Sequence, residues 1–415
     1  HLTMMEEAKK RDHNKLGREL ELFTTSDVIG QGLPILLPKG ARIVQLLQRF
    51  VEDEEQRRGW LLTKTPFMAK SDLYKISGHW DHYKDGMFVL GDEEKDKEVY
   101  ALRPMTCPFQ YQVFLNRMRS YRDLPMRLGE TSTLFRNEDS GEMHGLIRVR
   151  QFTISEGHII LRPEQLEEEF KGCLELAKFM LDTVGLLEDV TFRFSKWDPD
   201  DREKYIGTPE QWDEAQGAME KILDHLQIPY TIGVGEAAFY GPKLDFHLAD
   251  SLGRTWQCGT IQLDYQLPGR FDLEYTTSDG GKDVPVMIHR VVFGSIERFI
   301  GILTEHFAGK FPTWLAPTQV KVLPVSDKSM DYAKEVYEKL REKMIRCELD
   351  TRNEKIGYKI REARQVDRVP YMLIIGAKEV ETNTVSVRDR DTDQTVTMPL
   401  DEFLSKLCKE IENRD

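Results

Sequence analysis

Short runs in which apolar and polar residues alternate predict β-strands across the first three quarters of the chain. The clearest pair is 126–135 and 146–152, the second run resuming at 159–161, with a polar turn that contains Ser140-Gly141 and Gly145. This pattern predicts an antiparallel hairpin with a long loop, called the central hairpin from here on. Further strands are predicted at 60–65, 99–103, 190–195, within 233–250, and at 255–265, 271–276 and 284–289.

Helical periodicity surrounds these strands, and predicts helices at 4–11, 13–23, 41–58, 110–121, 163–187, 211–226 and 295–308. The segment 77–88 contains two histidines and several aromatic residues, so we predict a polar loop with a function there. Strands follow strands without regular alternation with helices. The predicted fold class is therefore α+β, an antiparallel sheet with flanking helices.

The pattern changes after Trp314-Leu315-Ala316-Pro317. Strands at 320–324, 346–350, 371–375, 384–388 and 394–399 are interspersed with helices at 332–343, 359–364 and 400–412. This predicts a separate small α/β domain of about 100 residues. The predicted domains are 1–24, a linker helix region, then 25–315 and 316–415.

Composition is that of a globular protein, with 40% hydrophobic and 31% charged residues. There is no run of about 18 apolar residues and no secretory signal, so we expect no membrane span. Five scattered cysteines without a C-x-x-C pair argue against a disulfide framework, and we expect a cytoplasmic location. The start at His1 leads us to expect an upstream segment in the full protein.

The net charge of −13 argues against non-specific binding of nucleic acid, so any such contact is expected at local patches. One patch lies on the central hairpin, where Arg136, Arg148 and Arg150 are close to Glu138. Arginine suits bidentate phosphate contacts, and Phe152 offers a flat face for a base. A nucleotide site and a solvated, salt-bridged hairpin both remain open from these residues. The G-x-x-x-x-G-K-[ST] pattern does not occur in the sequence.

Three candidate metal ligands, Cys107, His158 and His289, are far apart in the sequence. No local spacing motif links them, so a buried cysteine and core histidines are the alternative. If they converge, Cys-His-His with an open fourth position is typical of a catalytic or substrate-binding zinc.

Eight motifs together resemble the class II aminoacyl-tRNA synthetases, and most closely the threonyl-tRNA synthetase family. They are Gly78-His79-Trp80-Asp81, Pro104-Met105-x-Cys107-Pro108, Tyr121-Arg122-Asp123-Leu124-Pro125, Phe135-Arg136-Asn137-Glu138, Tyr240-Gly241-Pro242-Lys243, Gln257-Cys258-Gly259-Thr260, Gly294-Ser295-x-Glu297-Arg298-Phe299 and Asn353-Glu354-Lys355-Ile356-Gly357. The resemblance implies a class II catalytic domain at 25–315 and an anticodon-binding domain at 316–415. It also implies a homodimer formed through residues 41–66.

The resemblance implies activation of L-threonine with ATP to an adenylate, followed by transfer to the 3′ end of tRNA(Thr). Arg136 would hold the α-phosphate, Arg148 the terminal phosphates and Glu138 the adenine amino group. Adenine would lie between Phe152 and Arg298.

The remaining roles also come from the resemblance. Gln257 and Thr260 would hold the ribose, and Tyr240, Gln262 and Glu156 the amino acid. The catalytic set would be Arg136, Lys243, Arg298 and His79, with Mg²⁺ accompanying ATP. Cys107, His158 and His289 would hold one Zn²⁺ per chain, which recognises the substrate's amino and hydroxyl groups. Anticodon contacts would come from Asn353, Arg368, Glu379 and Arg388.

Five positions differ from the residues common in this family: Thr106, Phe109, Gln110, Ile154 and Glu156. These differences make the contacts to the amino acid, and the selectivity for threonine, less certain than the ATP site. The resemblance does not extend to the family's serine-editing domain. Another class IIa synthetase, such as prolyl, is one alternative. A non-catalytic, RNA-binding synthetase paralogue is the other.

Overall fold

An eight-stranded sheet forms the frame of residues 29–33 and 48–299, one of two compact units of the chain. The structure is a computed structural model that describes residues 2–250 and 252–415. Across the sheet, the strands are Thr231–Val234, Val190–Lys196, Lys243–Ala249, Thr255–Asp264, Val286–Ser295, Gln151–Leu161, Met126–Phe135 and Leu61–Leu62. The six central strands pair antiparallel and both outermost strands pair parallel, which confirms the predicted α+β class.

The central hairpin is confirmed, with Phe135 opposite Gln151 and Met126 opposite Ile160. Its second strand begins later than predicted, because 146–150 form an irregular segment. Leu146, Ile147 and Val149 are buried in that segment, so their apolar pattern reflects burial of a loop. Apolar runs this short do not separate the two cases.

Helices and smaller sheets complete this unit. The helices are Pro38–Arg57, which begins in the other unit, Ser71–Ser77, His79–Tyr83, Cys107–Phe114, Leu166–Thr183, Pro209–His225, Leu267–Arg270 and Ile296–His306, which ends in the other unit. The smaller sheets join Met68–Lys70, Tyr100–Leu102 and Val89–Leu90, and Tyr275–Thr276 with Lys282–Asp283. Two predictions are wrong here: 77–88 is largely helical, and 271–276 is a strand only at its end.

The second unit comprises residues 1–28, 34–47 and 300–415. A mixed five-stranded sheet confirms the predicted small α/β domain, and its core includes Val322, Leu340, Leu373 and Leu407. Its strands in spatial order are Cys347–Leu349, Val320–Pro324, Tyr371–Ile375, Thr384–Asp389 and Thr395–Pro399. Its helices are Met330–Glu342, Ile356–Arg361, Ala377–Thr382 and Leu400–Asn413.

The N-terminal part of this unit has the helices Leu2–Arg11 and His13–Glu19 and the strand pair Phe23–Thr24 and Ile35–Leu36. The limits at residues 24 and 315 stay predictions. Among the described residues, no helix combines the length and the apolar character that crossing a membrane requires.

Two glycines face each other in the central hairpin, where Gly129 pairs with Gly157. The space that a side chain would take at Gly157 is filled by the Arg290 guanidinium, which lies 4.3 Å from the centre of the Trp60 ring. Arg290 is completely buried and pairs with the carboxylate of Glu55 at 2.5 Å. A side chain at position 157 would displace this buried ion pair, so the hairpin requires glycine there.

We expect Gly157→Ala to lower the free energy of unfolding by about 1–3 kcal/mol, the usual cost of overpacking. The new Cβ would lie 2.2 Å from an Arg290 nitrogen and 2.5 Å from the Trp60 ring. Gly172→Ala is the control, because nothing lies within 4 Å of that position on the helix Leu166–Thr183. It should raise stability by up to about 1 kcal/mol. Urea unfolding measures both, and equal effects would contradict the packing argument.

Candidate active site

A cavity of about 300 Å³ opens on the sheet beside the central hairpin. Most of the site residues predicted for 25–315 line it together: Cys107, Arg136, Glu138, Arg148, Phe152, Glu156, His158, Tyr240, Lys243, Gln257, Thr260, Gln262, His289 and Arg298. Strand register explains the convergence, because Gln262 pairs with His289 and His289 pairs with His158 across three neighbouring strands. Residues that are more than 100 positions apart in the sequence therefore meet in one row.

Arginines dominate one end of the cavity. The side chain of Arg298 donates to the carbonyl oxygens of Ile147 at 2.9 Å and Gln257 at 3.4 Å, which fixes its position. Burial lowers the pKa of Arg298, and the nearby charges of Arg136 and Arg148 lower it further. A like-charge group of this kind is stabilised by an anion, so this end suits a phosphate-bearing ligand.

Two further observations support a ligand at this end. The Nε of Arg136 and the hydroxyl of Thr260 are buried and have no hydrogen-bond partner among the described residues. Buried polar atoms are rarely left unpaired, so both are available to a bound molecule. The Arg136 guanidinium lies 5.1 Å from the centre of the Phe152 ring. Arg148 is more exposed and contacts Glu142 at 3.3 Å.

The opposite end combines an acid, a phenol and an ammonium group. Burial raises the pKa of Glu156, and one of its carboxylate oxygens has no partner among the described residues. Burial also raises the pKa of Tyr240 well above its usual value, so its phenol is neutral. The Lys243 ammonium lies 3.1 Å from the Asp245 carboxylate. Gln262 donates to the carbonyl of Gly241 at 3.1 Å, which ties its strand to the turn beside Tyr240.

The three candidate metal ligands converge at this same end, where the His289 ring lies 5.0 Å from the ring of Tyr240. Donor atoms of Cys107, His158 and His289 lie within 4.8 Å of one another, and all three residues are buried. His289 shares a hydrogen bond of 2.8 Å between Nε2 and Asp264, which leaves Nδ1 uncommitted. His158 is hydrogen-bonded through Nδ1 to Gln110, which leaves Nε2 uncommitted. A thiol and two imidazoles braced from behind fit a zinc with an open fourth position.

Asp264 and Gln110 were not among the predicted site residues. Gln110 follows Cys107 by one helical turn and so shares its face of the helix Cys107–Phe114. Asp264 stands two residues after Gln262 on the same face of its strand. The spacing of three residues from Cys107 and of two residues from Gln262 could therefore have identified Gln110 and Asp264 as site residues from the sequence. Burial and the charges of Glu156 and Asp264 raise the pKa of the Cys107 thiol, and a cation among these groups would favour the thiolate.

His79 does not line the cavity. It begins the helix His79–Tyr83, is 2% exposed, and its Nε2 lies 2.6 Å from the sulfur of Met105, a cavity-lining residue. Its Nδ1 lies 2.6 Å from the Ser77 hydroxyl, and the ring of Phe239 packs edge-on against it. The αL conformation of Gly78 joins the helices that replace the predicted loop.

Positions 106, 109, 110, 154 and 156 have distinct surroundings. Ile154 belongs to an apolar cluster with Leu134, Val149 and Phe152, which forms an apolar wall of the cavity. Thr106 donates to Ser132 at 2.8 Å and also hydrogen-bonds Glu156. Phe109 lies under the Arg103 guanidinium at 5.5 Å. The effect of these residues on amino-acid selectivity stays a prediction.

The predicted anticodon residues lie in the second unit. Arg368 donates to the carbonyl of Ala308 at 3.1 Å, and Arg388 pairs with Asp393 at 2.8 Å. Glu379 accepts from the Gly376 N–H at 2.9 Å and from the Ser386 hydroxyl at 2.6 Å. Asn353 is exposed. Three of the four therefore have partners within their own unit, and contact with RNA stays a prediction for all of them.

Two family models match the chain. Residues 88–307 match "tRNA synthetase class II core domain (G, H, P, S and T)", and residues 319–410 match "Anticodon binding domain". A Clostridium botulinum (strain Eklund 17B / Type B) protein named "Threonine--tRNA ligase" is 61% identical over 415 residues, which is 100% of this chain and 64% of that protein. A protein of the same name from Caldanaerobacter subterraneus subsp. tengcongensis is 51% identical over 99% of this chain and 62% of its own length.

Solved structures are similar over nearly the whole chain. The "RNA binding domain of Threonyl-tRNA synthetase" from Cryptosporidium parvum Iowa II has a TM-score of 0.91 at 38% identity, covering 96% of this chain and 98% of that one. A "putative threonyl-tRNA synthetase ThrRS-1" from Aeropyrum pernix has a TM-score of 0.83 at 29% identity, covering 97% and 96%. The chain spans about 64% of the length of the first curated relatives that it matches.

We expect His79→Gln to reduce the loss of stability on acidification. Burial lowers the pKa of His79 from 6.5 to about 3, so only the unfolded chain gains its proton near pH 5. The stability that the neutral ring contributes above pH 6.5 is lost as the pH falls from 6.5 towards 3. Between pH 7 and 5 this amounts to about 2 kcal/mol. Urea unfolding of the metal-free protein measures the difference, and parallel losses in both proteins would refute it.

Proposed function

The chain belongs to the class II tRNA synthetase family, and we propose that it is the catalytic and anticodon-binding part of a threonine–tRNA ligase. One observation carries the proposal: a single cavity is lined by the arginines Arg136, Arg148 and Arg298 and by the Cys107, His158 and His289 cluster. The arginines suit a nucleotide, and the cluster suits a zinc that recognises an amino acid. The name of the 61% identical relative supports this substrate.

In the first step, a carboxylate oxygen of L-threonine attacks the α-phosphorus of ATP, and pyrophosphate leaves with its Mg²⁺. The charges of Arg136, Lys243 and Arg298 stabilise the phosphate oxygens in this step. All three side chains line the cavity, and no side-chain nucleophile is required. Catalysis then rests on positioning and on charges that are already in place before the reaction.

Nucleotide binding would use the same end of the cavity. Phe152 and Arg298 lie on either side of the adenine, and Glu138 accepts from its amino group. The unpartnered hydroxyl of Thr260 supports a contact to the ribose, together with Gln257. Arg148 would exchange its surface contact with Glu142 for the terminal phosphates.

Cys107, His158 and His289 would hold the zinc, and Glu156, Tyr240 and Gln262 would surround the amino acid. When bound, zinc supplies a Lewis-acidic centre that recognises an amino group and a hydroxyl together. A site built around the hydroxyl rejects valine strongly, because valine has the same shape and no hydroxyl. Serine keeps the hydroxyl, so it should react appreciably.

In the second step, the 3′-terminal ribose hydroxyl of tRNA(Thr) attacks the carbonyl carbon of the adenylate, and AMP leaves. His79 is neutral at physiological pH, because burial lowers its pKa to about 3. Its Nε2 faces Met105, so a part in this step requires Met105 to move aside. Asn353 is exposed and would contact the anticodon directly, whereas Arg368, Glu379 and Arg388 would first exchange their present partners.

The proposed assembly is a cytoplasmic homodimer that pairs through residues 41–66. The strand Leu61–Leu62 forms one edge of the eight-stranded sheet, and its leucines are 58% and 70% exposed. Exposed apolar side chains on an open sheet edge favour contact with a second chain.

ATP–pyrophosphate exchange by zinc-loaded protein tests the activity, with threonine, serine and valine compared. We expect exchange with threonine, weaker exchange with serine and almost none with valine. Arg136→Ala should lower kcat/KM for threonine by about 10²–10³-fold, the usual loss of a group that stabilises developing charge. Arg193→Ala is the control, because Arg193 is partly exposed, pairs with Glu236 at 3.0 Å and lies outside the cavity. Absence of threonine-dependent exchange would rule the proposal out.

The dimer is tested by Leu62→Lys, which should shift the protein towards monomer in sedimentation velocity. A lysine there would place an unpaired charge in the contact. Ile232→Lys is the matched control, because Ile232 is 52% exposed on the opposite edge strand Thr231–Val234. A dimer that withstands Leu62→Lys would locate the contact elsewhere.

A further inference from the structure

A chain of hydrogen bonds leads from a buried ion pair to the candidate metal ligand His158. It begins at Glu130, whose carboxylate lies 3.1 Å from the Arg103 guanidinium, and both residues are buried. An ionised carboxylate only accepts hydrogen bonds. The groups around Glu130 must therefore donate to it, which sets the direction of every later bond in the chain.

The next member is Thr63, which follows the edge strand Leu61–Leu62. Its hydroxyl lies 2.9 Å from a Glu130 carboxylate oxygen and 3.3 Å from the carbonyl oxygen of Gly129. Neither oxygen can donate, so the single hydroxyl hydrogen of Thr63 points towards them. Its lone pair is then left to accept from the side-chain amide of Gln110, whose Nε2 lies 2.9 Å away.

This orientation fixes the amide of Gln110. Because its NH₂ group donates to Thr63, its oxygen faces the Nδ1 of His158. That oxygen can only accept, so the proton of the imidazole sits on Nδ1. The Nε2 lone pair of His158 is consequently free, as a metal ligand requires.

We propose that Thr63, acting through Gln110, is a positioning residue that holds His158 in its metal-binding tautomer. The charge of Glu130 fixes the direction in which the Thr63 hydroxyl donates. Thr63, which follows an edge strand, in turn fixes the orientation of Gln110 on the helix Cys107–Phe114. His289 needs no such relay, since Asp264 contacts it directly at 2.8 Å. The inference rests on the proposed function only in taking Cys107, His158 and His289 as zinc ligands.

Thr63→Val removes the hydroxyl at nearly constant shape, so Gln110 loses the partner that orients it. We expect the dissociation constant for Zn²⁺, measured by chelator competition, to rise about 10–100-fold, as for other groups behind metal ligands. Thr63→Ser keeps the hydroxyl and should retain the wild-type constant. Thr65→Val is the matched control, because Thr65 donates to the other oxygen of Glu130 at 2.7 Å and does not contact Gln110.

Wild-type affinity in Thr63→Val, or an equal loss in Thr63→Val and Thr65→Val, would overturn the proposal. A readout without metal separates it from the proposed function. In ¹⁵N NMR of zinc-free protein, His158 should carry its proton on Nδ1, and Thr63→Val should show a mixture of tautomers. A wild-type protein that fails to bind Zn²⁺ would refute the metal part of the proposed function. An unchanged tautomer in Thr63→Val would refute the relay alone.

Discussion

Buried charge beneath the sheet is the constraint on which the rest of the larger unit depends. Arg103 pairs with Glu130 and Arg290 pairs with Glu55, and all four side chains are almost completely shielded from solvent. Removing one partner of such a pair leaves an uncompensated charge and is strongly destabilising. Both pairs must therefore stay intact in the folded unit. One ties the strand Val286–Ser295 to Glu55 in the last turn of the helix Pro38–Arg57, and the other ties Arg103 to Glu130 of the central hairpin.

The two pairs act on the cavity in different ways. Arg290 is adjacent to His289 on the same strand. Its guanidinium occupies the space that Gly157 leaves open, and the Glu55 carboxylate occupies the space beside Gly129. Arg103 donates to the backbone of Thr133 at 3.0 Å and so fixes one strand of the central hairpin. The two ion pairs, which lie on the far side of the sheet or at its edge, thus fix the positions of the residues that contact the cavity. The site is consequently a property of the whole sheet, not of its lining alone.

Two chemistries share the strand Gln151–Leu161. Phe152 lies at the arginine-rich end and His158 at the thiol and imidazole end, three alternations further along the same face. Strand geometry sets their separation at about 20 Å of chain or less, since each residue advances about 3.3 Å. A rigid strand of this kind can hold a nucleotide and an amino acid in fixed relation, which is what an adenylate-forming reaction requires.

Local patterns in the sequence determined much of this protein. Period-two alternation identified the central hairpin and the strands 190–195 and 255–265, and helical periodicity identified most of the helices. The motifs around Arg136, Lys243 and Arg298 carried the resemblance to the class II synthetases, because each motif is short and contiguous in the sequence. The roles of these residues came from that resemblance and stay predictions. The alternating strands and helices of the second unit predicted a small α/β domain, and its relation to anticodon-binding domains came from the family resemblance and is confirmed by the family match.

Tertiary structure decided everything that depends on residues far apart in the chain. His158 and His289 meet because antiparallel register aligns strands that are over a hundred residues apart, and Cys107 joins them from the start of the helix Cys107–Phe114. The bracing by Gln110 and Asp264, the burial of His79 and the irregular course of 146–150 have the same origin. Local spacing records which side chains share a face, whereas long-range packing determines which faces meet and which polar groups lose contact with water.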